Sequence, residues 1–460
     1  MDEIVIRGGR RLAGTVEVAG AKNAALPVVF ASLLTDEPCR VENLPDVADC
    51  RTALGLLAEI GVDVSRSSRG ATLRAAAVRG TEAPADLVRT MRASFLVLGP
   101  LLARFGEARV ATPGGCAIGR RPVDLHLAGL ARMGASIRAE DGFVHARAAE
   151  GCLRGARIRL PFPSVGATEN LMLAASLARG TSVIENAARE PEVVDLAEAL
   201  GRMGAAIRGA GSGRIEIEGR KRLGGLSHRV IPDRIEAGTF LMAAAAAGGE
   251  ATIERARPEH LGAAVAALRE AGVEVEELEG ALRVRRFGPL RPLSLSTAPY
   301  PGFPTDLQAQ MMAVLCLARG TSRLSETIFE NRFQHVAELA RMGADIRLDG
   351  GSACVRGGAP LRGAAVVATD LRASVSLVVA ALAARGTTRL SCVHHLDRGY
   401  ERLEEKLAGL GAAVERVERT SESARVRLGS RRGAEPQPAA AQAARPAARS
   451  TPLRRAQGLE

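Results

Sequence analysis

Apolar residues along this chain come in two recurring textures. One is a run that is apolar on every side, such as MMAVLCLA at 311–318; the other mixes charged and apolar positions at helical spacing, such as VAELARM at 336–342. A helix apolar all round is buried, whereas an amphipathic one is half exposed. The amphipathic texture ends in glycine and passes into a β-like run six times, at Gly61, Gly134, Gly204, Gly272, Gly343 and Gly411, with spacings of 73, 70, 68, 71 and 68 residues. A period near 70 is too long for a short solenoid repeat, so each unit reads as a small subdomain. The third unit gives the plan: a helix from about 167 to 178, a turn at Arg179 and Gly180, a strand at 181–185, a helix from Pro191 to Met203, and strands near 205–208 and 214–218. Proline suits a first helical position, and glycine suits the left-handed residue that ends a helix. The expected fold class is α/β, six α-β-α-β-β units with the apolar helices inside and the sheets around them.

Composition narrows the function. With 460 residues, 47% hydrophobic and 25% charged, the chain can bury a large core and fill more than one domain. Its most apolar runs, 240–247 and 375–384, are too short to span a bilayer, and no charged-then-apolar leader precedes the first strand pattern. The expected location is the cytoplasm, with no membrane partner. The seven cysteines (Cys39, Cys50, Cys116, Cys152, Cys316, Cys354, Cys392) are odd in number and lack a C-x-x-C pair, which favours free thiols over a disulfide framework or a zinc site. Net charge is +11, but the segment 431–460, with six Arg and two Glu, supplies +4 of it. Aromatic residues are 3% with no Trp, which leaves little for stacking bases. Anionic small molecules fit better than nucleic acid. The tail 429–460, rich in Ala, Pro, Gln and Arg, is expected to be disordered.

Aligning the six units on one another gathers the unusual polar residues in two columns. The first is the start of the buried helix: Lys22 and Asn23, Arg92, Ser164, Asp233 and Arg234, Asp306, Asp370 and Arg372. The second is the loop before the amphipathic helix: Cys116 to Asp124, Glu190, Arg257, Arg332 and Arg398. Helix N-termini attract anions, so starts turned toward one cleft would form an anion site. Ordinary capping accounts for Asp and Ser there. It does not account for the cations, which oppose the helix dipole unless an anion joins them. Lys22 is one of only three lysines, against 59 arginines; Lys221 and Lys406 read as surface residues.

The string PGGCAIGRRPVDLH at 113–126 places one thiol on a glycine-rich loop beside Arg120 and Arg121. Adjacent guanidiniums favour the thiolate. A small apolar residue in a loop is the plainer reading of one cysteine. This string, with AKNAALP at 21–27, TMRAS at 90–94, PSVGAT at 163–168, ENAAREP at 185–191, PDRIE at 232–236, PTDLQAQ at 304–310, FENRF at 329–333, TDLRAS at 369–374 and DRGY at 397–400, resembles the enolpyruvyl transferases, in particular those acting on UDP-N-acetylglucosamine.

The resemblance covers about residues 1–420. It implies a two-lobed inside-out α/β barrel, with residues 22–230 as one lobe and 1–21 with 231–428 as the other. It implies transfer of the enolpyruvyl group of phosphoenolpyruvate to the 3-hydroxyl of UDP-N-acetylglucosamine with release of phosphate, the first committed step toward peptidoglycan. No cofactor or metal is implied, and the expected assembly is a monomer. Lys22, Arg121 and Arg398 would hold the phosphate, Arg332 and Arg372 the carboxylate, and Asn23 would also touch phosphoenolpyruvate. Asp306 would take the hydroxyl proton; Cys116 would protonate C3 and form a covalent adduct, on a loop that closes as a lid. Asn23, Arg92, Arg121, Pro122, Val123, Asp124, Leu125, Ser164, Val165, Asp306 and Ile328 would contact the nucleotide sugar, with Glu190 and Asp370 as supporting ion-pair partners. Some members have a lysine where this chain has Phe162. The competing readings are the sister enzyme acting on shikimate 3-phosphate, which usually lacks the cysteine loop, and a non-catalytic six-unit scaffold.

Overall fold

The computed structural model describes residues 2–113 and 123–418; Cys116, Arg121, Pro122 and the tail 429–460 lie outside the described residues. The third unit forms a helix Val165–Ala175, a strand Thr181–Glu185, a helix Pro191–Arg202 and strands Ala206–Arg208 and Arg214–Glu218, within a few residues of expectation. One element is added. The strand Arg157–Arg159 precedes the buried helix and pairs in parallel with Thr181–Glu185. Among the described residues each of six four-stranded sheets has one strand paired in parallel, as short as Glu82–Ala83; in four it leads the buried helix of the same unit, and in the other two it comes from a distant part of the chain. The second, third and fifth units thus run β-α-β-α-β-β without a break, their first three elements forming the helix crossover that parallel strands require, while in the sixth Glu3–Arg7 takes the place of the last strand.

All six repeat glycines adopt left-handed φ values, between 86° and 100°. At Gly204 the N–H of Ala205 donates to the carbonyl of Leu200 (3.0 Å) and that of Gly204 to Gly201 (2.9 Å), which satisfies two carbonyls the helix end would leave open.

Six buried helices, Lys22–Ala31, Leu98–Phe105, Val165–Ala175, Arg234–Ala247, Gln308–Leu315 and Leu371–Ala383, pack in two groups of three. Around them the apolar side chains form two separate clusters, one within residues 21–231 and the other combining 4–18 with 235–412. Strand pairing ties the first residues to the second cluster: Glu3–Arg7 lies between Thr387–Ser391 and Ala413–Val417, and Leu12–Glu17 runs parallel to Gly249–Glu254. Conversely, Leu226–Arg229 returns to pair with Cys39–Glu42. The chain thus crosses twice between lobes, and the two crossings touch where Gly20 bridges Pro232. A Cβ on Gly20 would lie 1.7 Å from the carbonyl oxygen of Asn43, so only glycine fits there. Among the described residues no helix is long and apolar enough to cross a membrane.

Candidate functional site

Lys22 and Arg234 each open a buried helix, Arg372 is the second residue of another, and Asp306 lies in the single turn Thr305–Leu307 ahead of Gln308–Leu315. Ser164, Asp233 and Asp370 cap their helices: Ser164 accepts from the N–H of Ala167, Asp233 from Ile235 and Glu236, and Asp370 from Arg372 and Ala373. Ordinary capping is thus part of the first column. Asp370 acts on Arg372 through its backbone.

The cations are answered from inside the protein. Asp306 accepts from Arg332 Nη2 on Oδ1 (2.7 Å) and from Arg372 Nη2 on Oδ2 (3.0 Å). Both guanidiniums are nearly enclosed, with side chains 6% and 7% exposed, while Asp306 keeps 25%. Burial alone would raise the carboxyl pKa; Arg372 and Arg332 outweigh it and hold Asp306 well below the usual carboxylate range. Arg332 Nη1 also reaches Thr305 Oγ1 (3.2 Å), and Arg372 Nη1 reaches the hydroxyl of Tyr400 (3.2 Å), which in turn meets Thr239 (2.9 Å).

A second carboxylate organises the other pair. Asp49 Oδ2 accepts from Lys22 Nζ and Asp49 Oδ1 from Arg398 Nε, both at 3.0 Å. Lys22 belongs to the first lobe's buried helix, whereas Arg398 ends the turn Val393–Arg398 of the second, so this group spans the lobes. The two groups are joined by Arg398, Gly399 and Tyr400, where Gly399 packs so closely on Leu371 that a Cβ would lie 2.6 Å from its Cδ2. Arg234 pairs across the lobes with Glu192 (2.9 Å). Glu190, expected as an ion-pair partner, accepts from the backbone N–H groups of Arg189 (3.0 Å) and Tyr300 (3.4 Å) and lies near enough to Arg234 to feel its charge.

The remaining candidates fall on helix starts except Ile328, which lies in the loop after the strand Gly320–Ser325. Asn23 follows Lys22 and is half-buried, and Arg92 opens the turn Arg92–Val97. Val123, Asp124 and Leu125 begin the helix Asp124–Arg132 beside Ser164 and Val165, since a Cβ on Gly166 would meet the His126 ring at 3.4 Å. Ile328 is half-buried, and its N–H donates to Glu326 Oε1 (2.8 Å). Glu326 also accepts from Thr305 on Oε2 (2.8 Å), which fixes Thr305 under Arg332. Sequence reasoning missed Asp49, Glu192, Glu326 and Tyr400. A signal for Asp49 existed: the second column held members from five units, and the first turn of Ala48–Glu59 is that position in the first unit. Lys406, read as a surface residue, is mostly buried against Glu236 (2.6 Å).

The chain matches the family described as EPSP synthase (3-phosphoshikimate 1-carboxyvinyltransferase) over residues 6–407. Its relatives include proteins named UDP-N-acetylglucosamine 1-carboxyvinyltransferase from Rhodospirillum centenum, 57% identical over 431 residues, and Maricaulis maris, 58% identical over 420; both matches cover 91% of this chain, and 100% and 99% of the relatives. Among solved structures, the enolpyruvyl transferase NikO from Streptomyces tendae matches with a TM-score of 0.81 at 28% identity, covering 91% of this chain and 99% of that one. EPSP synthase from Acinetobacter baumannii gives 0.70 at 19% identity, covering 91% and 100%, which speaks for the fold alone. With a match running through all six units and identity far above what a shared fold requires, the chain belongs to the EPSP synthase family of enolpyruvyl transferases, on the branch whose members carry the name UDP-N-acetylglucosamine 1-carboxyvinyltransferase.

Proposed function

We propose that this protein transfers the enolpyruvyl group of phosphoenolpyruvate to the 3-hydroxyl of UDP-N-acetylglucosamine and releases phosphate. The observation that carries the reading is the gathering of Lys22, Arg398, Arg332 and Arg372 around two carboxylates at the helix starts. Phosphoenolpyruvate brings two linked anions, and desolvating them calls for fixed cations. Lys22 and Arg398, with Arg121, suit the phosphate; the planar forks of Arg332 and Arg372 suit the carboxylate. Asn23, Arg92, Arg121 to Leu125, Ser164, Val165 and Ile328 are assigned to the nucleotide sugar.

The sugar hydroxyl attacks C2 as Asp306 accepts its proton, and Cys116 supplies a proton to C3. Loss of a C3 proton then expels phosphate and leaves the enol ether. A carboxylate held by two guanidiniums is a weak base, so proton transfer comes late, as the C–O bond forms. The substrate corrects this in part. Its carboxylate competes for the same guanidiniums and adds negative charge beside Asp306, which raises the proton affinity of Asp306 where it is needed. Glu190 and Asp370 support the site from behind. We assign the lobes to residues 22–230 and to 1–21 with 231–428, and the working form to a cytoplasmic monomer.

Phosphate release from phosphoenolpyruvate by the purified protein tests the reading, with UDP-N-acetylglucosamine in one reaction and shikimate 3-phosphate in another. Release only with the nucleotide sugar is expected. Release only with shikimate 3-phosphate would move the chain to the sister activity, and release with neither would favour a scaffold.

A further inference from the structure

We propose that Asp49 is a positioning residue that presents Lys22 and Arg398 as one unit to the phosphate of phosphoenolpyruvate; the proposal rests on the assignment of those two cations above. Asp49 lies in the first turn of the helix Ala48–Glu59, where an acidic side chain ordinarily satisfies exposed backbone N–H groups. Here the helix start has no side-chain cap, and both carboxylate oxygens go to cations. The Asp49 side chain is 7% exposed and that of Lys22 11%. A buried ammonium without a counter-charge would shed its proton or turn toward water.

The bonding leaves the working donors free of Asp49. An ammonium has three N–H groups and a guanidinium five. Asp49 takes one from Lys22 and only the Nε position of Arg398, so neither terminal nitrogen of Arg398 is spent on it. The Arg398 side chain remains 37% exposed. Two like charges drawn to one phosphate repel each other, and a carboxylate shared between them offsets that repulsion before the ligand arrives. Because Lys22 and Arg398 come from different lobes, the same carboxylate also fixes their spacing across the boundary between them. Asp49 is held below the usual carboxylate range, since Lys22 and Arg398 outweigh the opposing effect of its burial, so it stays charged through the neutral range.

The test is Asp49→Asn and Asp49→Glu in the full chain, read by steady-state kinetics with both substrates and by calorimetric titration with inorganic phosphate. The asparagine variant is expected to raise KM for phosphoenolpyruvate and weaken phosphate binding by about tenfold or more, the scale of one lost charge-assisted hydrogen bond. KM for the nucleotide sugar should stay within about twofold, and the glutamate variant should recover part of the loss. An asparagine variant with unchanged phosphoenolpyruvate KM and phosphate affinity overturns the proposal. So does one in which both KM values and the unfolding midpoint shift together, which would mark a structural role. If the asparagine variant does not fold, the glutamate variant decides: a raised phosphoenolpyruvate KM alone supports the proposal, and an unchanged one overturns it. Phosphate binding that depends on Asp49 in a wild-type protein without turnover would sink the assigned reaction and leave the role of Asp49 standing.

Discussion

Replacing Asp306 by Asn separates what its charge contributes to stability from what it contributes to chemistry. In the folded protein the carboxylate takes one guanidinium on each oxygen, at 2.7 and 3.0 Å. Asparagine keeps one acceptor but turns an NH2 toward the other guanidinium. The loss of one charge-assisted bond, with part of the cost of leaving two buried guanidiniums uncompensated, comes to about 2–4 kcal/mol near pH 7, reduced from the full value because Asp306 is a quarter exposed. For a chain of this length that lowers the unfolding midpoint by roughly 2–5 °C. The pH dependence is the sharper test. A carboxylate whose folded pKa is depressed contributes stability above its unfolded value, about 3.9, and loses it as pH falls through the folded value. Because the folded carboxyl stays ionised between pH 5 and pH 3, the wild type should lose about 1.2 kcal/mol of its advantage over the variant across that window. Parallel denaturant titrations at those two pH values measure the gap. A gap that stays constant or widens with acid would refute the electrostatic reasoning, even if activity fell. Turnover itself should drop by about 10²–10⁴, the usual contribution of a general base, and turnover within tenfold of wild type would remove Asp306 from that role.

Arg372→Lys keeps a positive charge but loses the fork that reaches both Asp306 and Tyr400; KM for phosphoenolpyruvate should rise by about tenfold or more with the sugar KM nearly unchanged, in initial-rate assays. Cys116→Ala should abolish turnover, and an epoxide phosphonate such as fosfomycin should alkylate this thiol alone, as read by intact mass; full activity in the variant would end its assigned role. Burial pushes the thiols of Cys50 and Cys316 up to about 12 and that of Cys39 to about 11, so brief iodoacetamide treatment at pH 8 should leave all three unlabelled while exposed Cys354 reacts, as read by peptide mapping. Gly20→Ala places a methyl against the Asn43 carbonyl where the two crossings meet, and should lower the unfolding midpoint by roughly 1–3 °C in a thermal melt, an effect that overpacking a surface turn would not give.

Much of the fold was legible because its signals are local. Gly204 and its five counterparts need a left-handed residue wherever they occur, and an all-apolar run such as 311–318 has nowhere to go but inside. The leading strands were not legible. Arg157–Arg159 and Glu82–Ala83 are too short to show a period of two, and only their parallel partners define them. The site divides the same way. Helix starts marked Lys22, Asp306 and Arg372, but what answers each charge is set by long-range packing: Arg398 lies 349 residues from Asp49, and Lys406 lies 170 from Glu236. Asp49 occupies an ordinary first-turn position, and nothing within its own helix distinguishes a carboxylate that caps from one that turns inward.

The first strands also set a timetable for synthesis. Glu3–Arg7 carries buried Ile4 and Ile6, yet its partners begin at Thr387; Leu12–Glu17 must wait for Gly249–Glu254. At 5–20 residues per second, Glu3–Arg7 emerges roughly 20–75 s before the segment that covers it. During that interval the first lobe, whose last strand Leu226–Arg229 closes onto Cys39–Glu42, can fold behind an apolar ribbon that has no place in it. A nascent chain that has cleared the ribosome just past Arg229 would thus present a finished lobe with a sticky N-terminal arm, a species on which chaperones that grip short apolar segments have a clear hold.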